Sequence, residues 1–219
     1  MSKTAVIESF DRIAQYSTGG WNHNNHYHCY LLSQLPQGRS AALDIGSGLG
    51  EFSRLLAGYF TLVEGIDFSP RMVELAAARS ASYSNIRYTC ADFQEAEYPQ
   101  ESFDCVASIA TLHHLPLRET LERIKSLLKP GGRLLILDLY RARTPLYYLF
   151  CAAGVIANPF MKMTRAGHNS EELRKAWAEH GPLDRYLSIQ EIKIASQEVL
   201  PQARLRWHIY FRYSLIWEK

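Results

Sequence analysis

Apolar and polar positions alternate in blocks through the middle of this chain. Ala41–Ile45 is a short apolar run carrying one acid, and residues 61–66, Ile86–Cys90, Phe103–Ile109 and residues 133–139 follow as further runs of strand length. Between them, apolar side chains recur at helical spacing. Phe52, Leu55, Leu56 and Tyr59 make one stripe, and Leu117, Leu121, Ile124, Leu127 and Leu128 another. Pro70 suits the first turn of an intervening helix, and Pro130-Gly131-Gly132 stops the last stripe. Strands alternating with helices predict βαβ units, a parallel sheet and helices on both of its faces.

After residue 140 the pattern changes. Residues 145–160 are mostly apolar, with Tyr147, Tyr148 and Phe150. They read as a core-facing helix, as the wall of a pocket, or as a patch touching membrane, and Lys162 and Arg165 follow them. Residues 170–180 read as a helix with Ser170 as N-cap, two acids in the first turn and Gly181-Pro182 at its end. Ser188 and Glu191 have capping-box spacing and start another helix. Residues 203–217 predict two closing strands. Their Arg204, Arg206 and Arg212 are expected on an exposed face, with the grip of an anionic ligand as the alternative. The first forty residues form a helical cap or lid.

The composition suits one globular domain of 219 residues, with 47% hydrophobic and 21% charged side chains. A formal net charge of +2 argues against a large phosphate footprint. Cys29, Cys90, Cys105 and Cys151 are scattered and form no C-x-x-C pair, so neither a disulfide framework nor the usual structural zinc site is expected. A reduced cytoplasmic setting fits best. No signal peptide is visible at the N-terminus, and no apolar stretch reaches a comfortable bilayer span.

The candidate chemistry centres on Asp44-Ile45-Gly46-Ser47-Gly48-Leu49-Gly50, a glycine turn between a strand and a helix. Such a turn lets a ligand approach the backbone closely. The dinucleotide fingerprint requires a glycine where Glu51 stands, and Asp44 and Glu51 disfavour a pyrophosphate. They favour a ligand carrying positive charge. Asp67, ending the second strand, has the position of a carboxylate that accepts both ribose hydroxyls. After the third strand, Asp92 and Phe93 offer an acceptor and a backbone N–H to an adenine edge.

Taken together, these motifs resemble the class I S-adenosylmethionine-dependent methyltransferases, in their small type 11, UbiE-like branch. The resemblance covers residues 41–140. It rests on Asp44 with Gly46, Gly48 and Gly50; on Asp67 and Phe68; on Asp92 and Phe93; on Ser108-Ile109-Ala110 with Leu112-His113-His114-Leu115; and on Leu128-Lys129-Pro130-Gly131-Gly132. It implies a Rossmann-like α/β fold: a seven-stranded, mostly parallel sheet ending in an antiparallel hairpin. It also implies S-adenosylmethionine as donor and S-adenosylhomocysteine as product, bound by Asp44, Gly46, Ser47, Gly48, Gly50, Asp67, Phe68, Met72, Asp92, Phe93, Ser108 and Ile109. The expected organisation is a single domain: an N-terminal lid over 1–40, a donor-binding core over 41–140, acceptor-side helices over 141–202 and closing strands over 203–219.

Four histidines are candidate bases: His113 and His114 after the fourth strand, and His26 and His28 in a segment where three His and three Asn fall within residues 22–28. A structural hydrogen-bonding role competes for His113 and His114. The 22–28 segment reads first as a lid with Tyr16 and Tyr27 as aromatic covers, then as a solvated loop, and last as a metal site; no metal is expected. The expected acceptor is a small, partly apolar molecule methylated on oxygen, nitrogen or carbon by a monomer or homodimer not inserted in membrane. The rivals are an RNA or protein methyltransferase, and a non-catalytic donor-binding protein. Neither an Asn/Asp-Pro-Pro-Tyr/Phe motif nor a Pro-Cys nucleophile appears.

Overall fold

Ala41–Ile45 (β1), Leu62–Asp67 (β2), Ile86–Cys90 (β3), Phe103–Ile109 (β4), Leu128–Leu139 (β5), Arg204–His208 (β6) and Arg212–Glu218 (β7) form one sheet. The structure, a computed structural model, describes residues 3–17, 22–141 and 170–219. The strand order is β3-β2-β1-β4-β5-β7-β6. β1 to β5 pair in parallel, and β7 pairs antiparallel with both β5 and β6. The expected Rossmann-like sheet with its closing hairpin is present.

Strand residues of alternating parity feed two separate cores. Leu43, Ile45, Val106, Leu134 and Ile136 face one side, where Leu121 and Ile124 of Leu117–Leu127 (α5) and Ile192 and Val199 of Ile189–Val199 (α7) cover them. Ala42, Cys105, Ala107, Leu135 and Leu137 face the other, against Leu31 of His28–Leu32 (α2) and Phe52 and Leu56 of Glu51–Ala57 (α3). Both faces being dry is why these strands read as near-continuous apolar runs. A third cluster joins Lys3–Tyr16 (α1), Pro70–Arg79 (α4) and Glu171–His180 (α6) through Ile13, Ala14, Met72, Leu173 and Ala176.

The helix signals work as the sequence suggests. Ser69 Oγ accepts from Met72 N ahead of Pro70, and Ser170 Oγ accepts from Leu173 N. Ser188 and Glu191 make a complete capping box. A 3-10 turn over Asn25–Tyr27 leads into α2, which stops at Leu32. One boundary differs by several residues from the sequence reading. β5 begins at Leu128 rather than 133. Leu128 pairs with Phe103, and the register shifts before Cys105–Arg133 as the Pro-Gly-Gly segment bulges. The segment 145–160, with Lys162, Arg165 and Cys151, lies outside the described residues, as does Trp21.

The strand order reverses between β1 and β4. An open α/β sheet forms its crevice at that point, beyond the carboxyl ends of the strands.

Candidate functional site

The turn after β1 occupies this crevice. Gly46 and Gly48 have φ of +69° and +51°. A Cβ on Gly46 would lie 2.1 Å from Thr111 Oγ1, whereas one on Gly48 would meet nothing within 4 Å. The first glycine is thus demanded by packing of β1 against the loop after β4. The second leaves open space beside the backbone. Asp67 closes the turn from β2: its carboxylate accepts from Gly48 N and from Ser69 N, both at 2.9 Å. Burial raises its pKa, and those N–H groups oppose the rise.

Asp44 is buried beneath the same turn and accepts from Ser53 Oγ at 2.6 Å. Burial pushes its carboxyl up to about 6, with the Asp67 charge adding to the effect. Ser108 Oγ donates to Ile45 O, and Gly50 packs on the Tyr88 hydroxyl. Both support the turn from behind, and neither lines the cavities described next.

Two cavities of about 380 and 520 Å³ meet here, sharing Gly46, Asp67, Phe68, Thr111, His113 and His114. The smaller also takes in Asp92, Phe93, Gln94 and Leu115. The larger takes in Asp44, Ser47, Gly48, Met72, Ile109, His28, Asp184 and Arg212. The cofactor residues expected from the sequence, apart from Ser108 and Gly50, therefore fall along one continuous wall. Backbone strain marks that wall: Ala110, directly after β4, has φ of +52° and is held by Ala110 N donating to Leu137 O.

α1 lies over this crevice. Lys3 Nζ is 2.6 Å from Asp92 and 3.0 Å from Glu95. Asp11 accepts from Ser69 Oγ and Arg71 N at the start of α4, where a carboxylate is favoured. Phe10 makes ring contacts with Phe68, His114 and His180.

Opposite the glycine turn stands a buried polar cluster. His113 Nδ1 lies 2.6 Å from Asp138 Oδ1, and His113 N donates to Asp138 Oδ2. Asp184 Oδ1 faces three imidazoles: His113 Nε2 at 3.6 Å, His114 Nε2 at 3.5 Å and His180 Nε2 at 3.1 Å. Tyr186 OH donates to Asp184 Oδ2, and His180 Nδ1 is 3.0 Å from Ser9 Oγ. Burial opposes charge on His113, but Asp138 and then Asp184 outweigh it and hold the imidazolium up to about 9. Burial, assisted by the His113 charge, pushes His114 down to about 4. Burial works against the Asp184 carboxylate too, yet the surrounding His113, His180 and Tyr186 hold it well below the usual range.

The other candidate bases part company. His28 lines the larger cavity, stacks on Phe52 and is pushed down to about 4 by burial. His26 is exposed, packs against Tyr27 and Tyr210, and does not line either cavity. Arg212 corrects the sequence reading. It is not on an exposed face with Arg204 and Arg206, because Arg212 Nε donates to Asn24 Oδ1 and Nη1 to Tyr210 O, which turns the guanidinium into the larger cavity.

Sequence reasoning missed Asp138, His180, Asp184 and Tyr186. Asp138 carried a signal, an acid inside the apolar run Ile136-Leu137-Asp138-Leu139. Asp184 carried none: it stands in a loop after α6, seventy residues from His114.

Comparison with known proteins gives the setting. Residues 43–136 match the family model described as a methyltransferase domain. An uncharacterized methyltransferase of Mycobacterium tuberculosis is 28% identical over 204 residues, which is 90% of this chain and 96% of that protein. A ubiquinone biosynthesis O-methyltransferase of Coxiella burnetii is 29% identical over 169 residues, 74% of this chain and 71% of that one. Among solved structures, a SAM dependent methyltransferase from Aquifex aeolicus superposes with a TM-score of 0.60 over 100% of this chain and 99% of its own, at 16% identity.

Proposed function

We propose that this chain, whose residues 43–136 match a methyltransferase domain, is an S-adenosylmethionine-dependent methyltransferase whose acceptor is a small, partly apolar molecule bound in the larger cavity. One observation carries this reading. The polar cluster of His113, His114 and Asp184 shares a cavity wall with Gly46 and Asp67, and the apolar side chains of Phe10, Phe52, Leu173 and Trp177 line the same cavity beside polar ones such as Asn22, Asn25 and Glu51. Such a mixture of apolar lining with a few convergent polar groups suits a compact ligand.

In this reading the donor lies along the wall. Asp67 accepts from the ribose hydroxyls, Asp92 and Phe93 meet the adenine, and Asp44 and the glycine turn face the methionine end. The donor's methyl carbon is already electrophilic, because it is bonded to a sulfonium. The chain's task is to bring the acceptor into line with it and exclude water. The His113–His114–Asp184 cluster holds the acceptor's reacting atom and provides for loss of its proton. Arg212 offers one cation to a polar head of the acceptor.

The test is incubation with methyl-labelled donor and a metabolite extract, read by mass spectrometry. Label in a low-molecular-weight product is the expected result, and label found only in RNA or protein would overturn the reading. Replacing His113 or His114 with Ala should leave S-adenosylhomocysteine binding in place while lowering turnover by roughly 10²–10⁴-fold if the cluster activates the acceptor.

A further inference from the structure

The same cluster has a geometry that hydrogen bonding does not explain. His113 Nε2 and His114 Nε2 stand 3.6 and 3.5 Å from Asp184 Oδ1. Those separations are too long for hydrogen bonds. Yet His114 Nε2 is sealed from solvent and makes no hydrogen bond, although its side chain is only 9% exposed, while Asp184 Oδ1 has His180 Nε2 at 3.1 Å as its one short contact. Buried polar atoms left in this state are costly. One potential ligand atom from each of His113, His114 and Asp184 lies within 4.8 Å of the other two.

We propose that His113 Nε2, His114 Nε2 and Asp184 Oδ1 bind a divalent transition-metal ion of the zinc type, with its remaining coordination position facing the larger cavity. Ligand atoms on a tetrahedral ion with bonds of about 2.0–2.1 Å are roughly 3.3 Å apart, close to both Nε2–Oδ1 separations. The supporting contacts fit as well. A metal-binding histidine characteristically donates its other ring N–H to a carboxylate, which fixes the tautomer and turns the free lone pair to the ion. His113 does this: Nδ1 is spent on Asp138, leaving Nε2 for the ion. Asp184 Oδ2 is spent on Tyr186, leaving Oδ1. Two carboxylates in and beside the set supply the negative charge that a divalent ion requires. Two nitrogens and one carboxylate with an open position is the donor set of a site that admits a further ligand rather than one that only braces a fold.

The metal site considered from the sequence lay in the 22–28 segment. There the histidines diverge: His26 packs on Tyr27, and His28 on Phe52. The part assigned to the ion, drawing an acceptor's oxygen or nitrogen into its open position, rests on the acceptor reading given above. Ion binding itself does not.

The experiment uses untagged full-length protein, stripped with chelator and titrated with Co²⁺. The expected result is one equivalent bound, with the visible absorption of a low-symmetry site, displaced by Zn²⁺. Asp184→Asn and His114→Gln should abolish that spectrum. Tyr186→Phe and Asp138→Asn, which remove only supporting contacts, should weaken binding about 10–100-fold. His26→Gln should leave it unchanged. Where Asp184→Asn misfolds by circular dichroism, Tyr186→Phe decides. Failure to bind Co²⁺ stoichiometrically, or binding indifferent to His114→Gln and Tyr186→Phe, would overturn the proposal. Calorimetry with S-adenosylhomocysteine in parallel reports on the donor site alone. The labelled-product assay reports on the acceptor reading, so each reading fails separately.

Discussion

Two carboxylates under one turn behave differently because their surroundings differ. Asp67 receives two backbone N–H groups, so its orientation is set before any ligand arrives. Asp67→Asn keeps the shape but loses the charge-assisted contacts, and donor affinity should fall by about 1.5–3 kcal/mol, read by calorimetry. Asp44 has one hydroxyl donor, and its carboxyl rises to about 6. A raised carboxyl pKa means that the native state holds a proton which the unfolded chain releases. Between the ordinary value and about 6, stability therefore falls as pH rises, and above that window the cost is fully present. The cost approaches about 3 kcal/mol at neutral pH. Asp44→Asn should remove it, so the variant's melting-temperature advantage should grow as pH rises from about 4 to 7; a gap independent of pH would show that Asp44 is not the titrating group. The donor's cationic end should favour the ionised form, so donor affinity should rise through the same window. The position of Asp44 was legible from its place before the glycines. Its perturbation was not, because that depends on the depth of the turn.

At the scale of elements, the sequence was most informative where one local rule decides the outcome. Ser188 and Glu191 announce their own helix start, and the structure realises both halves of the box. Ser188→Ala should cost about 1 kcal/mol, whereas Leu121→Ala, which empties a fully buried site on α5, should cost about 2–5 kcal/mol; urea midpoints separate the two. Ala41–Ile45, Ile86–Cys90 and Phe103–Ile109 were legible to the residue, because turn residues bound each apolar run. The early start of β5 was not. Lys129 to Gly132 looks like a break, and only cross-strand pairing with β4 carries the ladder through it. The loop of the closing hairpin escaped in the same way. Tyr210 and Phe211 adopt φ of +61° and +55°, where glycine would be expected. Tertiary packing fixes that turn, including Tyr27 OH donating to Ile209 O across the molecule.

For the whole molecule, the wall assigned to the donor gathers residues that sit at strand ends in sequence order, whereas the opposite wall joins distant segments. His113, Asp138 and Asp184 come from three elements, and α1 reaches them from the N-terminus through Phe10. Surface charge ties α1 down beside its apolar stripe: Lys3 to Asp92 and Glu95, and Arg12 to Glu179. Exposed ion pairs weaken with salt. Hydrogen exchange in α1 should therefore speed up at high ionic strength while β1 and β4 stay protected; equal protection at low and high salt would show that apolar contacts alone hold the helix.

The strand order also leaves the sheet with two open ends. β3 pairs only with β2, and β6 only with β7, among the described residues. An unpaired strand is a template for another chain. Here the outer strand at one end carries Arg87, and the one at the other end carries Arg204 and Arg206. Whichever ends of two molecules meet, arginine meets arginine. Like charge meeting across two such edges works against one sheet being continued by its neighbour.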